Sequence, residues 1–94
     1  MSFSFTQKVL VPGHVLIRQV DTESVLLNLE NQRYFGLDEV GTRMWVTLTT
    51  ADSIQAAYDV LINEYDVDAE QLRQNLKDLI AKLVEHGLIE IGHG

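Results

Sequence analysis

The chain has 94 residues, enough for one domain around one core. It has no cysteine, which excludes disulfides, thiolate zinc sites and cysteine nucleophiles, and its net charge of −7 opposes binding to a phosphate backbone. No apolar run approaches the roughly 20 residues of a membrane span, and the N-terminus has no basic start followed by an apolar block, so the expected location is cytoplasmic.

The charge is unevenly placed. Residues 51–94 carry nine acidic and three basic side chains, and no Lys or Arg lies between Ala51 and Leu72. Residues 1–12 read as an N-terminal lead-in ending at the Pro12-Gly13 turn signal, with Phe3, Phe5, Val9 and Val11 packing loosely on the domain. The domain proper then spans 13–91.

Three strands follow in order. His14 to Val20 alternates Val15, Ile17 and Gln19 against Leu16, Arg18 and Val20. Asp21-Thr22-Glu23 is a polar turn. Ser24 to Glu30 alternates again, and Asn31-Gln32 is a two-residue link of the kind that closes a tight hairpin. Arg33-Tyr34-Phe35-Gly36-Leu37 is the last strand, with Phe35 and Leu37 facing the helices and Tyr34 and Gly36 facing away. Period-two alternation with one apolar face predicts a half-buried antiparallel sheet. A last strand leaves one unpaired backbone edge, which is a hazard unless another chain is meant to bind there.

Three helices come next. Asp38 caps the first, which runs through Val40, Met44, Trp45 and Leu48 until Thr49 to Asp52 breaks it. The second carries Ile54, Ala57, Tyr58, Leu61, Ile62 and Tyr65, an amphipathic spacing. Asp68 and Gln71 form a capping box for the third, which ends at His86-Gly87. Leu88 to Ile91 is an extended tail. The fold class is therefore α+β: a three-stranded antiparallel sheet followed by three helices, similar to a winged helix-turn-helix.

At about 100° per residue, with Leu72 at zero, the apolar arc of the third helix runs from Leu79 at about −20° to Val84 at about 120°. That is about 140° wide, where a core stripe needs about 100°. Leu72, Leu76, Leu79 and Leu83 form the core side. Ile80 and Val84 form a surplus flank lined by Arg73 and Lys77: either a greasy shelf with cations that suits an amphipathic, acidic peptide, or a flank that packs on the second helix or the C-terminal tail, with Arg73 and Lys77 as solvated charges.

No catalytic or metal-binding pattern is present. His14, His86 and His93 lack ligand spacing, the acidic residues from Glu64 to Glu70 lack the glycine and distal Glu of a calcium loop, and no phosphate loop occurs. No cofactor is expected, and Ser53 has no neighbouring base.

The run from Val25 to Trp45, with Tyr34-Phe35-Gly36-Leu37-Asp38-Glu39-Val40-Gly41 at its centre, resembles the PqqD-like family, as does Leu79 to Ile89 with its closing His86-Gly87-Leu88. The likeness extends over roughly residues 9 to 91. It implies a non-catalytic adaptor that recognises the leader segment of a ribosomally made precursor peptide. The leader would lie antiparallel along the third strand, in the cleft between that strand and the third helix. The implied partner is a modifying enzyme: a radical-SAM protein, as in pyrroloquinoline quinone synthesis, or a leader peptidase and cyclase, as in lasso peptide pathways. At this length the chain is expected to be free-standing. The expected peptide-binding residues are Gln32, Arg33, Tyr34, Phe35 and Gly36 on the strand, with Leu72, Arg73, Leu76, Lys77 and Ile80 on the helix. Two rivals remain on sequence alone: a winged-helix DNA-binding protein, which the acidic helices disfavour, and a homodimerisation module.

Overall fold

The computed structural model describes residues 3–92, so His93 lies outside it. The chain runs β1 (Lys8–Leu10), β2 (Val15–Val20), β3 (Glu23–Asn28), β4 (Arg33–Leu37), α1 (Glu39–Thr50), α2 (Ile54–Glu64), α3 (Ala69–Glu85) and β5 (Glu90–Gly92). β2, β3 and β4 form an antiparallel meander in that order. This is the α+β fold expected, with three helices stacked on one face of the sheet.

The inward face of the sheet is narrow. Ser24, Leu26 and Asn28 of β3 and Leu37 of β4 are buried, but only Val15 is buried on β2. The core is completed by Trp45 and Leu48 of α1, Ile54, Ala57 and Leu61 of α2, and Leu72, Leu76, Ile80 and Leu83 of α3. Burying each large aliphatic side chain contributes about 1.5–3 kcal/mol, so these residues carry most of the driving force.

The lead-in is an integral part of the domain. β1 pairs antiparallel with β5, joining Lys8–Leu10 to Glu90–Gly92. Phe5 and Val9 are core residues. The carbonyls of Phe5 and Gln7 accept the amides of Gln55 and Ile54, each at 2.8 Å. They thereby satisfy donors that the first turn of a helix otherwise leaves unpaired. Two short segments far apart in sequence, each too short to signal a strand, made this pairing invisible to a linear reading.

The β3–β4 hairpin also departs from expectation. β3 stops at Asn28, and four residues, 29–32, make the connection. Asn28 turns inward, and its side-chain oxygen accepts the Glu30 amide at 3.0 Å, which bends the chain early. Gln32 closes the turn with φ 59.

Helix ends follow their caps. Asp38 accepts from Gly41 at 2.7 Å, and Asp68 accepts from Gln71 at 3.1 Å. Ser53 caps α2, accepting the Ala56 amide at 3.0 Å. The Gln71 side chain reaches Asn75 at 3.0 Å rather than back to its cap, so only half of the expected capping box forms. α3 ends in a Schellman motif: the Gly87 amide donates to Val84 and the Leu88 amide to Leu83, with Gly87 at φ +69. On the surface, Arg43 of α1 pairs with Glu64 of α2, which holds the Glu64 carboxyl below its usual range.

The last turn of α3 is tied to the sheet. The Asn28 side-chain amide donates to the His86 carbonyl at 3.0 Å, and His14 Nε2 lies 3.1 Å from the Gly87 carbonyl. Replacing Asn28, which is 4% exposed, by Ala strands the His86 carbonyl and the Glu30 amide. The expected cost is about 1–3 kcal/mol, read in thermal unfolding as a lowering of about 4–8 °C per kcal/mol for a domain of this size. An unchanged melting temperature contradicts this role.

Candidate functional site

β4 ends the sheet. It pairs with β3 through Ser24↔Leu37 to Asn28↔Arg33, and no described strand takes its other edge. The C-terminal tail does not cover it, because β5 is committed to β1. A row of backbone donors and acceptors therefore faces outward beside α3, in the arrangement that accepts a further strand.

Between β4 and α3 lies an open cleft of about 490 Å³. Phe35, Gly36 and Leu37 form one wall, and Asn75, Asp78, Leu79 and Lys82 the other. Asp38 and Gly41, at the start of α1, close one end. Phe35 and Leu79 are both half-buried and supply the apolar lining. Phe35 is held in place by the edge of the His86 ring, 5.0 Å away at 64°. His86 is itself anchored through Nδ1, 2.8 Å from the Lys82 carbonyl.

Polar groups in the cleft differ in availability. Asp38 is engaged as the α1 cap, and Asp78 accepts from Gln74 at 2.9 Å. Lys82 makes no ion pair among the described residues. Its ammonium is free to meet a carboxylate on an incoming chain.

The expected strand residues lie where the pattern put them, with different exposures. Gln32 and Arg33 are exposed at the hairpin end of the edge. Tyr34 is 72% exposed, on the outer face of the sheet rather than in the cleft. Gly36 faces open space, since a Cβ added there meets nothing within 4 Å.

The helix residues are redistributed. Leu72, Leu76 and Ile80 are at most 2% exposed and belong to the core. Arg73 stacks on Phe5 of the lead-in, 4.0 Å from the ring centroid, with Tyr58 at 5.8 Å. Lys77 is exposed on that same side. Relative to Leu72, Arg73 and Lys77 lie at about 100° and 140°, whereas Asn75 and Lys82 lie at about −60° and −80°. The cleft thus uses the flank opposite the one expected. On the surplus side, Arg73 lies over Phe5 of the N-terminal segment, and Val84 lines a hollow with Gln7 and with Ile89 and Ile91 of the C-terminal tail. The wheel did carry a signal for the side of α3 that faces β4: Leu79 stands at the edge of the stripe, on the side of Asn75 and Lys82.

Among the described residues no group of three potential metal ligands comes together, and no helix is long and apolar enough to cross a membrane. The geometry defines a small domain with one strand edge held open beside a helix.

Residues 23–89 match the family described as Coenzyme PQQ synthesis protein D (PqqD). The chain belongs to that family. Among curated proteins, none matches. Two solved structures share the fold. One, described as TbiB1 in complex with the TbiA(beta) leader peptide, is 33% identical with a TM-score of 0.80, and the match covers 86% of this chain and 94% of that one. The other, a lasso peptide synthetase B1 complexed with the leader peptide, is 20% identical with a TM-score of 0.79, covering 88% and 98%.

Because Gly36 meets nothing, the fold itself does not require glycine there. Gly36→Ala is expected to raise stability by up to about 1 kcal/mol, through a smaller entropy loss on folding. Chemical denaturation checks this, and a loss of stability would reveal a backbone constraint at that position.

Proposed function

We propose that this chain is a non-catalytic adaptor that binds the leader segment of a ribosomally made precursor peptide and presents it to a modifying enzyme. The observation that carries the reading is the unpaired β4 edge running beside α3, with Phe35 and Leu79 as an apolar lining. Support comes from the relative at 33% identity, whose structure contains a leader peptide.

In this reading the leader adds as a fourth strand to the sheet, antiparallel to Arg33–Leu37. Backbone hydrogen bonds supply affinity, and side-chain pockets supply selectivity. Alternate leader side chains point into the cleft. An apolar one packs between Phe35 and Leu79, and an acidic one meets Lys82. The partner supplies all chemistry: a radical-SAM protein, or a leader peptidase and cyclase. The acid-rich second half of the chain opposes nucleic acid as a ligand.

Calorimetry with the precursor encoded beside this gene tests the proposal. One-to-one binding is expected, and failure of both leader and full precursor to bind overturns it. Leu79→Asp should weaken affinity about tenfold or more, equivalent to at least about 1.4 kcal/mol. Lys77→Glu should leave it within about twofold, because α3 turns that residue away from β4. The reverse pattern would move the site to the other flank of the helix.

A further inference from the structure

The sheet turns one face to the helices and leaves the other open. In the register of β2, β3 and β4, Leu16, Leu27 and Tyr34 stand in one cross-strand row, and Arg18, Val25 and Gly36 in the next. Both rows lie on the open face. Resting on the leader reading above, we propose that this face is where the modifying enzyme docks, and that the enzyme holds the leader-loaded chain in preference to the empty one.

The open face is apolar where a solvated antiparallel sheet normally carries polar side chains. Leu16 is 53% exposed, Val25 37% and Tyr34 72%. With Leu27 they line a shallow hollow of about 510 Å³. Val20, 60% exposed, carries the apolar surface to the far end of β2. A contiguous exposed surface of this kind marks a place of protein contact. Arg18 is the one charge within it and makes no ion pair among the described residues. Asp21 and Glu23 stand at one end of the face and Glu30 at the other. The complementary partner surface is an apolar patch with a carboxylate placed for Arg18 and basic groups around it, an apolar centre within a polar rim.

The leader strand selects the enzyme as the occupant. Residues directly opposite each other on neighbouring strands point to the same face of a sheet. A leader added along β4 therefore places the residues opposite Tyr34 and Gly36 on the open face. The first extends the row of Leu16, Leu27 and Tyr34 by one position, and the second extends the row of Arg18 and Val25. Gly36 leaves open space in that second row, so the leader residue beside it stands clear. The face is thus enlarged when the leader is in place, and a protein seated on it touches adaptor and leader together. The leader itself is taken up at the β4 edge. The enzyme is the other partner that the function requires, and it has to distinguish a loaded adaptor from an empty one. Contact with both components supplies that distinction, and by linkage leader and enzyme raise each other's affinity by the same factor.

Surface plasmon resonance with the purified modifying enzyme encoded beside this gene, with and without leader peptide, tests the proposal. The leader should raise enzyme affinity about fivefold or more. Leu16→Glu and Arg18→Glu should each weaken enzyme binding to the loaded chain about tenfold or more. Calorimetry should find their leader affinity within about twofold of the unaltered chain, and thermal melting checks that both variants fold. Saturation transfer from unlabelled enzyme should reach the methyl groups of Leu16, Val25 and Leu27 and spare Val60, which is exposed on α2. Enzyme binding that is absent, or indifferent to both variants or to the leader, overturns the proposal and leaves the leader reading standing. Transfer gathered at Val60, or an open face already covered by a second copy before enzyme is added, does the same. A leader that does not bind at all overturns both.

Discussion

Asn28 reaches from the middle strand of the sheet and donates to the carbonyl of His86, the residue that caps the end of α3, 3.0 Å away. His14 approaches the next carbonyl, on Gly87. These contacts pin the end of a 17-residue helix against the sheet, while Leu72, Leu76, Ile80 and Leu83 pin its length against the core. Together they fix how α3 is rotated about its axis. That rotation decides which side chains face the open strand, and therefore which chemistry the cleft offers.

Much of the fold was legible in the residues. Alternation located β2, β3 and β4, because a sheet with one apolar face must repeat every second residue. Asp38, Asp68 and Gly87 marked helix ends through local hydrogen bonding and a left-handed backbone, which depend only on near neighbours. What escaped was non-local. The β1–β5 pair joins the two ends of the chain, and nothing in either triplet announces the other. In the sequence Asn28 is one residue of an alternating strand, Ser24 to Glu30. Its buried amide bridges β3 to α3, 58 residues away.

The same cause explains the site. The open strand was readable because Arg33–Leu37 follows a hairpin and precedes a helix. The helix wall was not, since a wheel shows that an apolar stripe is too wide without showing which neighbour fills the surplus. Phe5, Arg73 and the tail supply the answer: the Arg73 guanidinium lies over the Phe5 ring at 4.0 Å, and Val84 lies beside Ile89 and Ile91. The remaining flank, with Asn75, Leu79 and Lys82, is the one left open toward β4.

Cross-strand nuclear Overhauser contacts between labelled protein and unlabelled leader peptide are the most direct measure of the central claim. An antiparallel series linking peptide backbone protons to Arg33–Leu37, with side-chain contacts to Leu79, is the predicted result. A bound peptide with no contact to β4, its shift changes gathered around Arg73 and Lys77 instead, would contradict the account.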